Sequence, residues 1–275
     1  MAGKLYLVAT PIGNLEDISF RALKVLKEVD IIAAEDTRHT RKLLNHFEIK
    51  TPLTSYYEHN KRIKGEYILS LLIEGKQVAL VSDAGMPGIS DPGEDIVREA
   101  VSAGIPVCAV PGPNAALTAL VVSGLPSARF VFEGFLPREK KERKAILNKL
   151  CTEQRTMVFY EAPHRLTETL KELEKFFGDR KAAASREITK RFEETVRGSL
   201  KELVNHFTNN LPRGEFTLVV AGAPQEAAEA PDLRQLKEEI DRLVAAGMPK
   251  KEAVKEVAHR HHIPKRTVYD LSLQE

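Results

Sequence analysis

Short apolar runs alternate along the chain with stretches in which apolar residues recur every three or four positions. The first kind is typical of a buried strand and the second of an amphipathic helix. The run Val78-Ala79-Leu80-Val81 is apolar throughout, which is typical of a strand buried on both faces. In the first half, the pattern predicts strands at residues 5–9, 31–34, 53–57, 78–81 and 106–110 and helices at 20–29, 40–47, 63–74 and 115–122, with a further helix after Asp91. This alternation predicts an α/β fold with a mostly parallel sheet and helices on both faces.

The second half contains the same kinds of element in a less regular order. Strands are predicted at residues 130–135, 156–160, 182–185, 194–198 and 216–221, and helices at 137–150 and from about 163 to 177. Long helices separate these strands less consistently, so a mixed sheet is expected. The turn-rich segment Ser123–Pro126 marks a junction near residues 112–126. We therefore predict two α/β domains, at residues 1–112 and 113–225.

Residues 226–275 are predicted to form a linker and a small helical extension. Ala223–Pro231 is rich in alanine and proline, as linkers often are. Apolar residues recur at helical spacing from Leu233 to Leu243, and a second helix is predicted after Pro249. A turn at His261–Pro264 and a short helix from Thr267 complete a pattern that resembles a helix-turn-helix.

The segment Val78–Gly93 predicts a ligand-binding loop. Its strand runs into a stretch containing Gly85, Gly88 and Gly93, where a chain without side chains can approach a ligand closely. In open α/β sheets, ligands bind beyond the carboxyl ends of the strands. Asp91 is predicted to cap the helix that follows, with Pro92 at its first position and Glu94 completing a capping box. Similar loops follow the other strands, so a binding cleft is expected there.

Several common sites are excluded by spacing. The glycine-rich loops lack the following Lys-Ser/Thr pair of a P-loop, and no G-x-G-x-x-G follows the first strand. No G-x-S-x-G occurs, and Cys and His residues do not cluster at zinc spacing. The acidic pair Glu35-Asp36 and the acids of residues 83–95 have oxygens that bind divalent metals, but helix capping explains them better. We therefore predict no metal.

Composition indicates an ordinary water-soluble protein with local basic stretches. The chain has 275 residues, a net charge of +2 and two cysteines, Cys108 and Cys151, which favour a reducing cytoplasm over a disulfide framework. Its most apolar window, residues 115–125, is too short to cross a membrane. Residues 137–150 and 249–269 each carry six Lys or Arg against two Glu, a local excess of +4. These excesses favour contact with a phosphate backbone over a merely solvated helix face.

Several of these motifs resemble one known family. The motifs that carry the resemblance are LYLVATPIGNLEDISFRALKVLKEVDIIAAEDTRHTRKLL, VSDAGMPGISDPG, VPGPNAALTAL, FEGFLPR, FYEAPHRL and SREITKRFEE. With them the chain is similar, over residues 4–222, to the small-subunit ribosomal RNA methyltransferases of type I, within the tetrapyrrole-methylase superfamily. One departure from the tetrapyrrole enzymes is that Asp83-Ala84-Gly85 stands where they have G-D-P.

The resemblance implies a fold, a cofactor and a substrate. It implies S-adenosylmethionine bound in a cleft between two α/β domains, within a homodimer. It also implies methylation of the ribose 2′-hydroxyl of a decoding-centre cytidine, rRNA position 1402, in the 16S rRNA of the small ribosomal subunit. Carried onto this sequence, the cofactor-binding positions are Pro11, Asp83, Ala84, Gly85, Ile89, Ser90, Ala115, Ala116, Glu161, Ala162, Gly214 and Phe216.

Charged residues at predicted strand ends are the candidates for chemistry. A ribose hydroxyl is a poor nucleophile at neutral pH, so a base or hydrogen-bond acceptor is expected near it. The candidates for that role are Glu35, Asp36, Glu161 and Glu187. The candidates for RNA contact are Arg38, Arg138, Lys140, Lys141, Arg143, Arg165, Arg186, Lys265 and Arg266. An interdomain network of ion pairs is an equally good interpretation of the charged strand-end residues.

Three other functions remain open from the residues alone. A methylase of a small tetrapyrrole-like substrate would use the same cleft but would leave the basic tail without a role. A DNA-binding regulator would read DNA with the tail and sense a ligand in the α/β body. An RNA-binding module without catalysis is the third alternative, and any turnover would exclude it.

Overall fold

The first half of the chain forms a parallel five-stranded sheet. The computed structural model describes residues 3–224, 233–260, 268–269 and 272. The strands of this first sheet are β1 (Lys4–Val8), β2 (Ile31–Ala34), β3 (Leu53–Ser55), β4 (Gln77–Val81) and β5 (Val107–Val110). They lie in the order β3-β2-β4-β1-β5, and every pairing is parallel, as the alternation predicted.

Helices cover both faces of this sheet. They are α1 (Phe20–Glu28), α2 (Thr37–His46), α3 (Lys61–Ile73) and α4 (Glu94–Ser102), with a short 3₁₀ turn at Leu15–Asp17. On one face Leu26 of α1 and Leu44 of α2 pack with Ile32. On the other, Ile68 of α3 and Ile96 of α4 pack with Leu80. The apolar run of β4 is therefore buried on both sides, as its sequence predicted.

The starts of α2 and α4 differ from the sequence prediction, and the loops before them show why. Helix α2 begins at Thr37 instead of Thr40, because the carboxylate of Asp36 accepts a hydrogen bond from the N–H of Arg38 at 2.8 Å and caps it. The prediction that Asp91 caps α4 is wrong. The capping position is Gly93, whose φ is +154°, and a Cβ there would lie 3.1 Å from the nitrogen of Gly88. The loop thus continues two residues longer, and Asp91 belongs to it.

The second half forms a mixed five-stranded sheet. Its strands are β6 (Phe130–Phe135), β7 (Thr156–Glu161), β8 (Lys181–Arg186), β9 (Glu194–Ser199) and β10 (Phe216–Val220). In the order β6-β7-β10-β8-β9, only the β6–β7 pairing is parallel. The prediction of a mixed sheet is confirmed.

The helices of the second half also divide between two faces. They are α5 (Ala115–Ser123), α6 (Lys140–Leu150), α7 (Pro163–Phe177) and α8 (Leu200–Asn209). Helix α5 packs Ala119 and Leu120 against Val158 and Val219, while α6, α7 and α8 cover the opposite face. Helix α8 was not predicted, although the capping box between Ser199 and Glu202 is a sequence signal for the start of a helix.

Contacts divide the chain into a compact unit at residues 1–223 and a second one at 224–275. The boundary between residues 112 and 113 stays a prediction. In the second unit, α9 (Leu233–Ala245) and α10 (Lys250–Arg260) pack through Leu236 and Val257. The predicted linker, the turn at residues 261–264 and most of the final helix lie outside the described residues. No helix in the described ranges is long and apolar enough to cross a membrane.

Candidate active site

A cavity of about 310 Å³ lies between the strand ends of the first sheet and the second sheet. Its floor is the loop that follows β4, and its other walls come from loops after β1, β2 and β5 and from the second sheet. The residues that line it are Ile12, Glu35, Asp83, Ala84, Gly85, Met86, Ile89, Ser90, Asp91, Asn114, Ala115, Phe135, Tyr160, Glu187, Ile188, Lys190, Glu215, Phe216 and Thr217.

Backbone contacts hold the floor of this cavity in place. Thr10 and Gly85 exchange two backbone hydrogen bonds, of 2.9 and 3.0 Å, which join the loops after β1 and β4. Gly85 has φ of +85°, in the left-handed region where a side chain is unfavourable. The hydroxyl of Ser82 donates to the carbonyl of Gly85 at 3.3 Å. The backbone conformation at residue 85 therefore favours glycine, and the same residue also lines the cavity.

Most of the charged groups that line the cavity are acidic. Burial and, after it, the charge of Glu35 together raise the pKa of Asp91 to about 7. Burial also raises the pKa of Glu35, with Asp83 adding to the effect. Lys190 contributes a cation, but its Nζ is paired with Glu187 Oε1 at 3.1 Å. A cluster of carboxylates that raise one another's pKa favours a bound cation, because the cation would relieve their repulsion.

The four candidates for base or acceptor occupy different environments. Glu35 and Glu187 line the cavity. Asp36 caps α2 and is paired with Arg38 at 2.8 Å, a contact that holds the pKa of its carboxyl well below the usual range. Glu161 is 1% exposed and does not line the cavity. The structure therefore brings Glu35 and Glu187 together and places Asp36 and Glu161 elsewhere.

Glu161 has structural partners on the far side of the second sheet. Its carboxylate accepts hydrogen bonds from the hydroxyl of Thr169 at 2.6 Å and from the N–H of Ala162 at 2.9 Å. The Nε of Arg165 lies 3.5 Å from it. Successive residues of a strand point to opposite faces. Since Glu161 points into the helical side, its neighbour Tyr160 is the residue of β7 that faces the cavity.

Only some of the predicted cofactor positions line the 310 Å³ cavity. Those that line the cavity are Asp83, Ala84, Gly85, Ile89, Ser90, Ala115 and Phe216. Pro11 lines a second cavity and Gly214 lines a third, of about 480 Å³. Ala116 is 4% exposed and packs in the α5 interface, and neither it nor Glu161 nor Ala162 lines any of these three cavities.

The second cavity, of about 240 Å³, shares Asp83 with the first. The residues that line it are Thr10, Pro11, Gly13, Leu15, His39, Thr40, Lys42, Leu43, Ser82 and Asp83. The loop after β1 and the start of α2 thus form its walls. Asp83 is the side chain that stands between the two cavities.

Several residues that line the 310 Å³ cavity were not among the predicted cofactor positions, although each directly precedes a predicted residue in the sequence. Tyr160 precedes Glu161, Asn114 precedes Ala115, and Glu215 precedes Phe216. Burial raises the pKa of the Tyr160 hydroxyl, which has a hydrogen bond with the backbone of Ala116. The alternation of the strands was the signal that could have identified Tyr160, because it sets the parity of the facing residues.

Only some of the candidates for RNA contact are exposed. Arg38, Arg138, Lys140 and Lys141 are exposed at the surface. Arg143 is a correction to the predicted basic face: it is 4% exposed and its guanidinium pairs with Glu168 and Glu172 at 3.2 and 2.6 Å. Half-buried Arg165 and Arg186 pair with glutamates. The last two candidates, Lys265 and Arg266, lie outside the described residues.

Within the part of the chain that the structure describes, no group of three His, Cys, Asp or Glu side chains is placed to hold a metal ion.

This chain matches one protein family and several relatives that share one name. The model of the tetrapyrrole (corrin/porphyrin) methylases matches residues 4–204. The ribosomal RNA small subunit methyltransferase I of Bacillus subtilis is 50% identical over 272 residues, covering 98% of this chain and 93% of the relative. The protein of the same name from Halalkalibacterium halodurans is 49% identical, covering 99% and 96%. That of Thermotoga maritima is 52% identical over 220 residues, which cover 80% of this chain and 99% of the relative.

Solved structures share the fold at low sequence identity. A uroporphyrin-III C-methyltransferase from Thermus thermophilus, complexed with S-adenyl homocysteine, has a TM-score of 0.56 and 20% identity over 79% of this chain and 97% of its own. A diphthine synthase has a TM-score of 0.60 and 15% identity, covering 80% and 90%.

Proposed function

We propose that this chain, which belongs to the tetrapyrrole (corrin/porphyrin) methylase family and within it to the ribosomal RNA small subunit methyltransferase I group, methylates small-subunit rRNA. In finer detail, the methyl donor is S-adenosylmethionine and the acceptor is the ribose 2′-hydroxyl of a cytidine in 16S rRNA. The observation that carries this proposal is the acidic cavity that the loop after β4 forms with the second sheet.

The cavity fits the proposed cofactor in size and charge. Its volume lies in the range of ligand pockets, and Ala84, Gly85 and Ala115 leave its wall free of large side chains. S-adenosylmethionine carries a positive sulfonium and a positive ammonium group, which complement the carboxylates of Glu35 and Asp83. When bound, it supplies an electrophilic methyl group. Asp83, Ala84, Gly85, Ile89, Ser90, Ala115 and Phe216 would hold it.

Two carboxylates are the best candidates to receive the hydroxyl proton. Glu35 lines the cofactor cavity, and its raised pKa brings its basicity nearer to that needed at neutral pH. Asp83 separates this cavity from the second one, whose rim carries His39 and Lys42. We assign the second cavity to the target nucleotide, since a ribose there would lie beside Asp83. Orientation of the hydroxyl is then the main contribution of the protein.

Exposed cations near these cavities would hold the RNA backbone. Arg38 follows directly after the strand-end pair Glu35-Asp36, and its side chain is 89% exposed. Arg138, Lys140 and Lys141 are exposed at the start of α6. Such groups neutralise phosphates and displace counterions, so binding should weaken steeply with salt. We further propose that the protein acts in the cytoplasm as a homodimer, which light scattering on the purified protein would test.

The test is a map of the methyl groups that the protein adds. Small ribosomal subunits from a strain lacking the protein are incubated with it and labelled S-adenosylmethionine, and the rRNA is digested and analysed by mass spectrometry. A ribose-methylated cytidine in 16S rRNA is expected. A parallel reaction offers porphyrinoids as acceptors. Label on a macrocycle and none on rRNA would overturn the proposal in favour of a small tetrapyrrole-like substrate.

A further inference from the structure

An exposed aromatic ring lies beside the cofactor cavity, and the proposed function leaves it without a role. Phe192 is 69% exposed in the loop between β8 and β9. It lines the third cavity, of about 480 Å³, together with Arg186, Glu187, Arg213 and Gly214. Glu187 lines this cavity and the cofactor cavity alike. An exposed phenylalanine ring offers a flat apolar face on which another ring can stack.

The loop that presents Phe192 has a fixed shape. Glu187 and Thr189 both have positive φ, of 50° and 68°, which non-glycine residues seldom adopt. The carboxylate of Glu193 accepts a hydrogen bond from the N–H of Thr189 at 2.7 Å, and Lys190 N–H donates to the carbonyl of Glu187 at 2.9 Å. Such conformations persist where the surroundings hold them and cluster at binding sites.

One arginine lies against the ring, and two more line the cavity beside it. The guanidinium of Arg191 lies 5.6 Å from the centre of the Phe192 ring. Arg191 and Arg213 are exposed, and neither has an ion-pair partner among the described residues. Arg186 is paired with Glu194 and adds a third guanidinium to the wall. An aromatic ring among unpaired arginines matches the chemistry of single-stranded nucleic acid, in which a base stacks and its phosphates pair with cations.

We propose that Phe192 is a stacking platform for an unpaired nucleobase next to the target nucleotide, with Arg191 and Arg213 holding the adjoining phosphates. This inference rests on the proposed rRNA substrate and specifies how the RNA is held at the site. RNA is read mostly in single-stranded segments whose bases are splayed out onto aromatic rings. The position of the loop beside Glu187 would place the stacked base near the cofactor cavity. The platform therefore positions the strand that enters the site.

Binding of a short single-stranded RNA containing 2-aminopurine tests the platform, with wild type, Phe192→Ala, Phe192→Trp and Ile73→Ala compared. Loss of stacking in Phe192→Ala should weaken binding about tenfold and abolish quenching of the 2-aminopurine fluorescence. Phe192→Trp should keep both. Ile73, 65% exposed at the end of α3, is the matched apolar control and should behave as wild type. Arg213→Ala removes one phosphate contact, so it should reduce the slope of log affinity against log salt concentration by about one.

Other outcomes would overturn the platform. Wild-type affinity and quenching in Phe192→Ala do so, and so does an equal loss in Ile73→Ala. A changed oligomeric mass with unchanged RNA affinity would assign Phe192 to a contact between subunits instead. Calorimetric affinity for S-adenosylmethionine and the melting temperature report whether each variant is folded. Because RNA binding is measured without turnover, failure of the wild type to methylate small subunits would reject the proposed function separately.

Discussion

The carboxylate of Asp83 accepts a hydrogen bond from the backbone N–H of Asp36, with 3.0 Å between oxygen and nitrogen. This contact joins the loop after β4 to the loop after β2, and those loops belong to neighbouring strands. It also fixes the one side chain that lines both the cofactor cavity and the second cavity. Asp83 thus combines a structural contact with a charge at the site, and substitutions can separate the two.

Asp83→Asn should weaken cofactor binding while preserving the fold. The amide oxygen can still accept from Asp36, so the melting temperature should stay near that of the wild type. Loss of one negative charge from the cavity should raise the dissociation constant for S-adenosylmethionine about tenfold. Calorimetric titration and thermal melting measure the two effects. Asp83→Ala is the control, since it removes the acceptor too and should also lower the melting temperature.

Arg38→Ala should weaken RNA methylation and leave cofactor binding nearly unchanged. The side chain is exposed, and among the described residues it forms an ion pair with Asp36 alone. Its loss should raise KM for small subunits several-fold, because one cation is removed from the RNA path. Arg62→Ala, which removes a 93% exposed arginine from α3, is the matched control and should be neutral. An equal loss of affinity for the cofactor would contradict the assignment of Arg38 to RNA.

Asp91→Asn should make the protein more stable, and the gain should depend on pH. The pKa of Asp91 is raised from 3.8 to about 7 in the folded protein, so the folded state holds its proton more tightly than the unfolded chain. This group therefore destabilises the wild type progressively as pH rises from about 4 to about 7. After allowance for solvent screening, we expect Asp91→Asn to raise the free energy of unfolding by about 1 kcal/mol. This gain corresponds to a rise in melting temperature of about 2–4 °C.

Melting temperatures of Asp91→Asn and wild type at pH 4.5, 6 and 8 check this dependence. The difference should be smallest at the lowest pH and level off above neutrality. A constant difference across the series would show that the carboxyl does not titrate in this range.

Glu161→Ala and Glu187→Gln should separate a structural carboxylate from one at the site. Removal of buried Glu161 leaves Arg165 and Thr169 without their partner, which should cost about 3 kcal/mol of unfolding free energy. Glu187 lines the cavity with its side chain 25% exposed, so the amide should change stability little and weaken binding of the cationic cofactor. Urea unfolding and calorimetric titration of S-adenosylmethionine measure the two effects. A fully stable Glu161→Ala would contradict this division.

Deletion of residues 224–275 should leave the α/β body folded and able to bind S-adenosylmethionine. The second unit has its own apolar core, and the Thermotoga maritima relative is matched over 80% of this chain but 99% of its own length. Helix α10 exposes Lys250, Lys251 and Lys255, so the truncated chain should bind RNA more weakly and with a smaller salt slope. A truncated protein that aggregates, or that binds RNA with full strength, would contradict this expectation.

The sequence by itself determined the elements and their class. Apolar runs and caps are local, so the strand Val78–Val81 and the helix that Ser19 caps were found near their observed positions. The parallel first sheet and the mixed second sheet followed from the lengths of the connections. The motifs also predict a ligand loop after β4, and in the structure that loop forms the floor of the 310 Å³ cavity.

Only the tertiary structure decided which side chains meet. Glu161 and Tyr160 are neighbours in sequence, but the pleat of β7 directs one into the helical core and the other into the cavity. Arg143 belongs to a basic stretch, yet two glutamates of α7 bury it. Alternation along β7 already indicates that the side chains of Glu161 and Tyr160 point to opposite faces of the sheet. Which of the two faces meets the cavity, and which glutamates meet Arg143, depends on long-range packing, so these roles are settled only when the sheets and helices are assembled.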